Sequence, residues 1–164
     1  MELYFSDNFF NAGETEILNQ SGEAAGRLDL RSMIGSALDV YGPRGELLYS
    51  GRFQLMLRRW RVLDAGERDI GLLRPRFTVF TKKFEYDAGE RGVYEIESPN
   101  FSKEYIITEN GTEVAEFTRT SGWIRSGAYR LQNRSKLSDY EMIAVVMGAN
   151  AIRKRQRSLA NSGG

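Results

Sequence analysis

The chain has 164 residues, 41% hydrophobic and 27% charged, with a formal net charge of +1. That is the profile of one folded domain with no global pull toward nucleic acid or an anionic surface, so any such affinity must come from a local patch. It contains no cysteine and no histidine, which excludes disulfides, thiolate or His-ligated metal sites and imidazole chemistry.

The first residues, Met1-Glu2-Leu3-Tyr4-Phe5-Ser6-Asp7, lack the basic segment and apolar run of a signal peptide. The longest apolar run, 142–149, falls well short of the roughly 18 residues that a spanning helix needs. The expectation is a cytoplasmic protein with no transmembrane segment. Residues 3–10 are aromatic-rich and read as an opening strand.

A Gly-centred turn then recurs at Gly22-Glu23, Gly45-Glu46, Gly66-Glu67, Gly89-Glu90 and Gly111-Thr112, in steps of 23, 21, 23 and 22 residues. That period is the length of one β-hairpin. The first hairpin runs from 16–19 into 27–33, the second from 37–41 into 46–51. The third runs from 53–63 into 69–76, the fourth from 77–86 into 92–96, and the fifth from 105–108 into 113–120. A last strand at 128–132 completes the β part. In Asp64-Ala65-Gly66-Glu67 and Asp87-Ala88-Gly89-Glu90, Asp initiates a turn and Gly accepts positive φ. Asn110-Gly111 is a hairpin signal of the same kind. Alternation places Val114 and Glu116 on one face and Ala115 and Phe117 on the other. Phe77, Val79 and Thr81 read as the apolar face of another half-buried strand.

After Gln132 the period changes. Ser138-Asp139-Tyr140-Glu141 reads as a capping box, with the Ser138 hydroxyl on the Glu141 amide and the Glu141 carboxylate reaching back. Acids in the first turn and Arg153, Lys154, Arg155 and Arg157 in the last suit a helix dipole. Between them, residues 142–152 are apolar on every side and rich in Gly and Ala, so the helix must be surrounded. A slim apolar helix after serial hairpins implies one threaded through a barrel. The expected fold is therefore all-β with one buried helix: a closed antiparallel β-barrel of about twelve strands around a hydrophobic C-terminal α-helix. The barrel domain covers residues 1–157, with its helix near 138–157, and 158–164 form a flexible tail.

The stretch 96–131 carries a resemblance. Asn100-Phe101, Tyr105-Ile106-Ile107, Asn110-Gly111, Val114-Ala115-Glu116, Trp123 and Tyr129-Arg130-Leu131 precede the apolar terminal helix. In order and spacing this resembles the tubby C-terminal-like superfamily, near the LURP-one-related bacterial proteins. The resemblance implies a twelve-stranded barrel enclosing a C-terminal helix. It also implies a relation to tubby proteins, which bind membrane phosphoinositides through basic side chains, and to phospholipid scramblases. The tubby lipid-binding motif and the cysteine-rich segments of scramblases have no match here. The run 142–152 admits a scramblase-like membrane anchor or a core helix. It spans only about 16 Å at about 1.5 Å per residue, half the hydrocarbon thickness, which favours the core.

The most suggestive cluster is basic. Arg59 and Arg61 share a face of one arm of the third hairpin, Arg74 and Arg76 share a face of the other, and Trp60 flanks them. Four guanidinium groups in one patch have the geometry to grip phosphate oxygens, with Lys82 and Lys83 extending it. The alternative is a solvated outer face whose Arg stems cover apolar surface. Trp123 and Tyr129 read as a core or cross-strand pair, or as aromatics on a binding face. No phosphate loop, dinucleotide fingerprint or nucleophile elbow is present. The expectation is a non-catalytic binding module without cofactor or metal. Its partner is an anionic phospholipid headgroup or similar phosphate-bearing ligand, with a peripheral place at the membrane. The alternative is a protein–protein adaptor or scaffold. Nucleic acid is not expected.

Overall fold

Strand alternation supplies a wall with one apolar face, and the only way to hide such a face without leaving edges is to close it. The computed structural model, which describes residues 2–11, 13–31, 37–79, 81–99, 102–120 and 128–162, shows that closure. The strands are β1 (Glu2–Phe5), β2 (Gly13–Leu18), β3 (Ala24–Leu30), β4 (Ala37–Tyr41), β5 (Leu47–Gln54) and β6 (Arg59–Asp64). They continue as β7 (Asp69–Arg76), β8 (Lys82–Asp87), β9 (Val93–Ser98), β10 (Tyr105–Glu109), β11 (Thr112–Arg119) and β12 (Tyr129–Asn133). Each pairs antiparallel with its sequence neighbours, and β1 closes the ring against β12 with Leu3 opposite Leu131.

The barrel is filled by α1 (Asp139–Ser162), whose residues from Glu141 through Arg153 are all buried. The all-round apolar run is thus a core plug. Among the described residues no helix is long and apolar enough to cross a membrane. Inward side chains such as Leu28, Val40, Val62, Phe84, Ile96, Ile107 and Phe117 meet Met142, Val145 and Val146 in one continuous core. Each of these large side chains contributes up to about 1.5–3 kcal/mol by leaving water. Val114 and Glu116 face outward and Ala115 and Phe117 inward, as alternation demands.

Several local expectations need correction. The opening segment is β1 followed by a 3-10 turn (Asp7–Phe10) that folds Phe9 and Phe10 into the core. Residues 53–63 are not one strand: Gln54 ends β5, the chain turns through 55–58 with Arg58 at φ 51°, and β6 begins at Arg59. Phe77, Thr78, Val79 and Thr81 lie outside β8, with Phe77 97% and Val79 74% exposed, so their expected half-buried apolar face does not exist. In the third Gly turn it is Glu67, at φ 61°, that takes the left-handed conformation. Asp64 and Asp87 do cap their turns, accepting the Gly66 and Gly89 amides at 2.9 Å. The helix runs on to Ser162, so the expected tail at 158–162 is its last turn. Trp123, Asn100 and Phe101 fall outside the described residues; Tyr129 is buried and stacks on Phe117, rings 5.1 Å apart.

Candidate functional site

The up-and-down order puts all five Gly turns at one end of the barrel and the loops β1–β2, β5–β6, β7–β8 and β9–β10 at the other. The plug enters at the Gly-turn end. There Tyr140 donates its hydroxyl to the Ala25 carbonyl at 2.6 Å, and Glu141 meets Tyr86 and Arg91. It leaves at the other end, where Arg153 bonds Ser98 and Lys154 donates to the Phe10 carbonyl at 2.6 Å. Burial, then the charge of Lys103, holds the Lys154 ammonium below its ordinary value.

Glu141 does not close a capping box. The Ser138 hydroxyl accepts the Tyr140 amide at 3.2 Å. The Glu141 carboxylate instead accepts the Tyr86 hydroxyl at 2.7 Å and Arg91 at 2.6 Å. A carboxylate this deep needs such partners, because an unpaired charge in the core is far more costly than an open cap. Burial, then the Glu141 charge, pushes the Tyr86 phenol far above its ordinary value, so it remains a donor.

The two ends differ in charge. The Gly turns carry Glu23, Glu46, Asp64, Glu67, Asp87, Glu90 and Glu109 against Arg44, Arg68 and Arg91, an excess of acid. By contrast, the segments 51–63, 70–84 and 142–164 contain no acidic residue, and the described residues of all three run to the helix-exit end. Among the described residues of that end, Asp7 pairs with Arg119 at 3.3 Å, and Glu104 accepts the Arg119 amide at 2.9 Å. Net charge alone conceals this axial separation.

The basic residues singled out in the sequence occupy three different situations. Trp60 is wholly buried and donates its indole N–H to the Ala144 carbonyl at 3.1 Å, so it packs the plug and meets no outside ligand. Arg61 grips Asp69 with two bonds of 2.7 Å. Arg74 and Arg76 both clamp Glu85. Arg59 has no ion pair among the described residues; with Arg61 it lines an outer groove of about 480 Å³ that Asp69 and Asp87 also line. The hairpin brings the two arms together, but carboxylates stand between three of the four guanidinium groups and any anion. Lys83 pairs with Glu97 at 3.7 Å.

At the helix exit the arrangement is different. Leu55, Met56 and Leu57 of the β5–β6 turn are exposed, as are Phe77 and Val79 of the β7–β8 loop and Leu159 of α1. Arg58 shares a recess with Leu55 and Leu159, and Lys82 borders Phe77; Arg157 lies on the same end of α1, and none of the three has an ion pair among the described residues. Arg155 lies with its guanidinium 4.2 Å over the Phe53 ring and its Nε–H buried without an acceptor. Sequence reading missed the apolar part because large apolar residues imitate strand. The signal available was the unbroken run Leu55-Met56-Leu57, which alternation does not produce.

No protein family matches the sequence, and no curated protein matches it. The fold is similar to the X-ray structure of a protein from Arabidopsis thaliana, with a TM-score of 0.61 and 11% sequence identity, over 96% of this chain and 90% of that one. At that identity the likeness is one of fold alone.

Proposed function

We propose that the chain is a non-catalytic binding module of the tubby C-terminal-like type, near the LURP-one-related proteins. In this reading it docks on anionic lipid headgroups at the cytoplasmic face of a membrane, using the helix-exit end of its barrel. The strand order, the enclosed C-terminal helix and the likeness to the Arabidopsis structure support the family reading. The lipid reading rests on one observation: three acid-free segments converge at that end and leave Arg58, Lys82 and Arg157 unpaired among the described residues, with Arg59 close by on the wall.

Guanidinium groups suit phosphate, and each basic side chain near an anionic surface adds about 1 kcal/mol. The acidic Gly-turn end is repelled by the same surface, so the two ends together orient the barrel. This placement moves the contact from the Arg61, Arg74 and Arg76 face, where Asp69 and Glu85 already answer the charge, to the exit.

Co-sedimentation of the full chain with phosphatidylcholine vesicles, with and without phosphatidylserine, tests it. Binding is expected only to the anionic vesicles at low salt, weakened by Arg58→Glu with Arg157→Glu and by added salt. Absence of any preference for the anionic vesicles at low salt ends the reading.

A further inference from the structure

We infer that the helix-exit end inserts an apolar wedge into the bilayer interface: Met56 and its turn neighbours, Phe77 and Val79, and Leu159 enter the lipid while the surrounding Arg and Lys hold headgroups. This rests on the anionic-lipid reading and deepens it.

Exposed apolar residues scattered singly need no explanation, but a cluster does. Of the large hydrophobic side chains that stand exposed among the described residues, all except Val93 lie at this end. Met56 is 93% and Phe77 97% exposed, so neither packs against its own domain. Turn chemistry does not ask for them. Tight turns favour Gly, Asn, Asp and Pro, and the Gly-turn end uses such residues, as at Asp64 and Asn110. At the exit end the β9–β10 connection also carries Pro99 and Ser102, but the β5–β6 and β7–β8 connections carry Leu-Met-Leu and Phe-Thr-Val. Local structure therefore gains nothing from these side chains, and their use lies outside the domain.

The charge around them selects the occupant. An apolar tip within a collar of cations is the pattern of interfacial membrane binding, where side chains enter roughly 5–10 Å and cations remain with the headgroups. Volume decides the direction of insertion. The apolar recess between the β5–β6 turn, the end of β7 and the helix, lined by Phe53, Leu55, Pro75, Ile152 and Leu159, holds about 160 Å³. That is below the roughly 300 Å³ at which ligand pockets begin. The neighbouring hollow of about 330 Å³ is lined by Arg76, Lys82 and Lys83 beside Phe77 and Thr78, a lining that suits a headgroup and not an acyl chain, so the protein's side chains enter the lipid.

The chain has no cysteine, so Met56→Cys offers a single labelling site for an environment-sensitive fluorophore, with Asn110→Cys on the opposite end as control. The full chain is mixed with phosphatidylcholine vesicles, with and without phosphatidylserine. The Met56 probe is expected to shift blue and to be quenched by spin-labelled acyl chains on anionic vesicles, while the Asn110 probe does neither. Met56→Asp and Phe77→Asp are each expected to weaken partition at least about tenfold, the worth of one large apolar side chain leaving water. Both positions are exposed, so the melting temperature stays unchanged. Binding to anionic vesicles with an unshifted Met56 probe and undiminished partition of both variants overturns the wedge and leaves the headgroup reading standing. Absence of anionic binding in the unlabelled chain overturns both. A Met56 probe that shifts only when a protein partner is added overturns the wedge in favour of a protein interface.

Discussion

The Trp60 indole donates its N–H to the Ala144 carbonyl of the central helix at 3.1 Å. It does so from a slot between two glycines: a Cβ added at Gly51 of β5 or at Gly148 of α1 would overlap the ring. One side chain therefore fixes both the depth and the rotation of the plug relative to the wall. Tyr86 repeats the device across Gly71, with its hydroxyl carried to Glu141.

Gly148→Ala is expected to destabilise the protein. Helix propensity favours alanine by about 1 kcal/mol, but overpacking against an immobile indole costs about 1–3 kcal/mol. Trp60→Ala is expected to cost more, about 3–5 kcal/mol. Urea midpoints of the two variants against the parent check both figures, and a Gly148→Ala variant as stable as the parent would show that the slot can relax.

Val145 is 1% exposed in the middle of the plug. Val145→Asp places a carboxylate with no partner among Met142, Val146 and the inward wall, a cost comparable to the whole stability of a domain. The expected outcome is loss of the folded state. Near-UV circular dichroism reads it directly, since native-like signal in a soluble variant contradicts the plug.

Arg91→Ala is expected to cost about 3 kcal/mol, because it leaves the buried Glu141 carboxylate with one donor. Tyr86→Phe removes the other donor and is expected to cost about 1–2 kcal/mol. The two residues share one acceptor, so a double-mutant cycle should return a coupling well away from zero. Additive losses would mean that Glu141 finds a replacement partner.

Acid should weaken the outer wall at Glu85. The hydrogen bond from Arg74 holds its carboxyl below the ordinary value of 4.5, with Arg76 adding to the effect against the opposing influence of burial. A depressed carboxylate contributes stability that is present above the unfolded value and lost as pH falls through the folded one. Stability measured by urea titration should therefore drop below pH 4.5 more steeply in the parent than in Glu85→Gln. Parallel curves for the two proteins would remove Glu85 from the acid response.

Much of the architecture is readable from residue order. The repeat of Gly turns marks five hairpins, and the all-round apolar run can be stable only inside something. The site was less legible for two reasons. Arg61, Arg74 and Arg76 look free in one dimension because Asp69 and Glu85 lie 8 to 11 residues away and meet them only when strands pair. Leu55 to Leu57, Phe77 and Val79 look buried because β-propensity is in large part a record of side chains that pack, and here nothing packs on them.

What residue order determined by itself was the period of the strands, the positions of the Gly turns and the need to enclose residues 142–152, since these follow from local sterics and from transfer out of water. What only the tertiary structure decided was which side chain faces which. Closure of the ring put Trp60 against Ala144, set carboxylates on the Arg pairs, and gathered acids at one mouth of the barrel and apolar tips among cations at the other. Those pairings join residues far apart in the chain, and no local propensity encodes them.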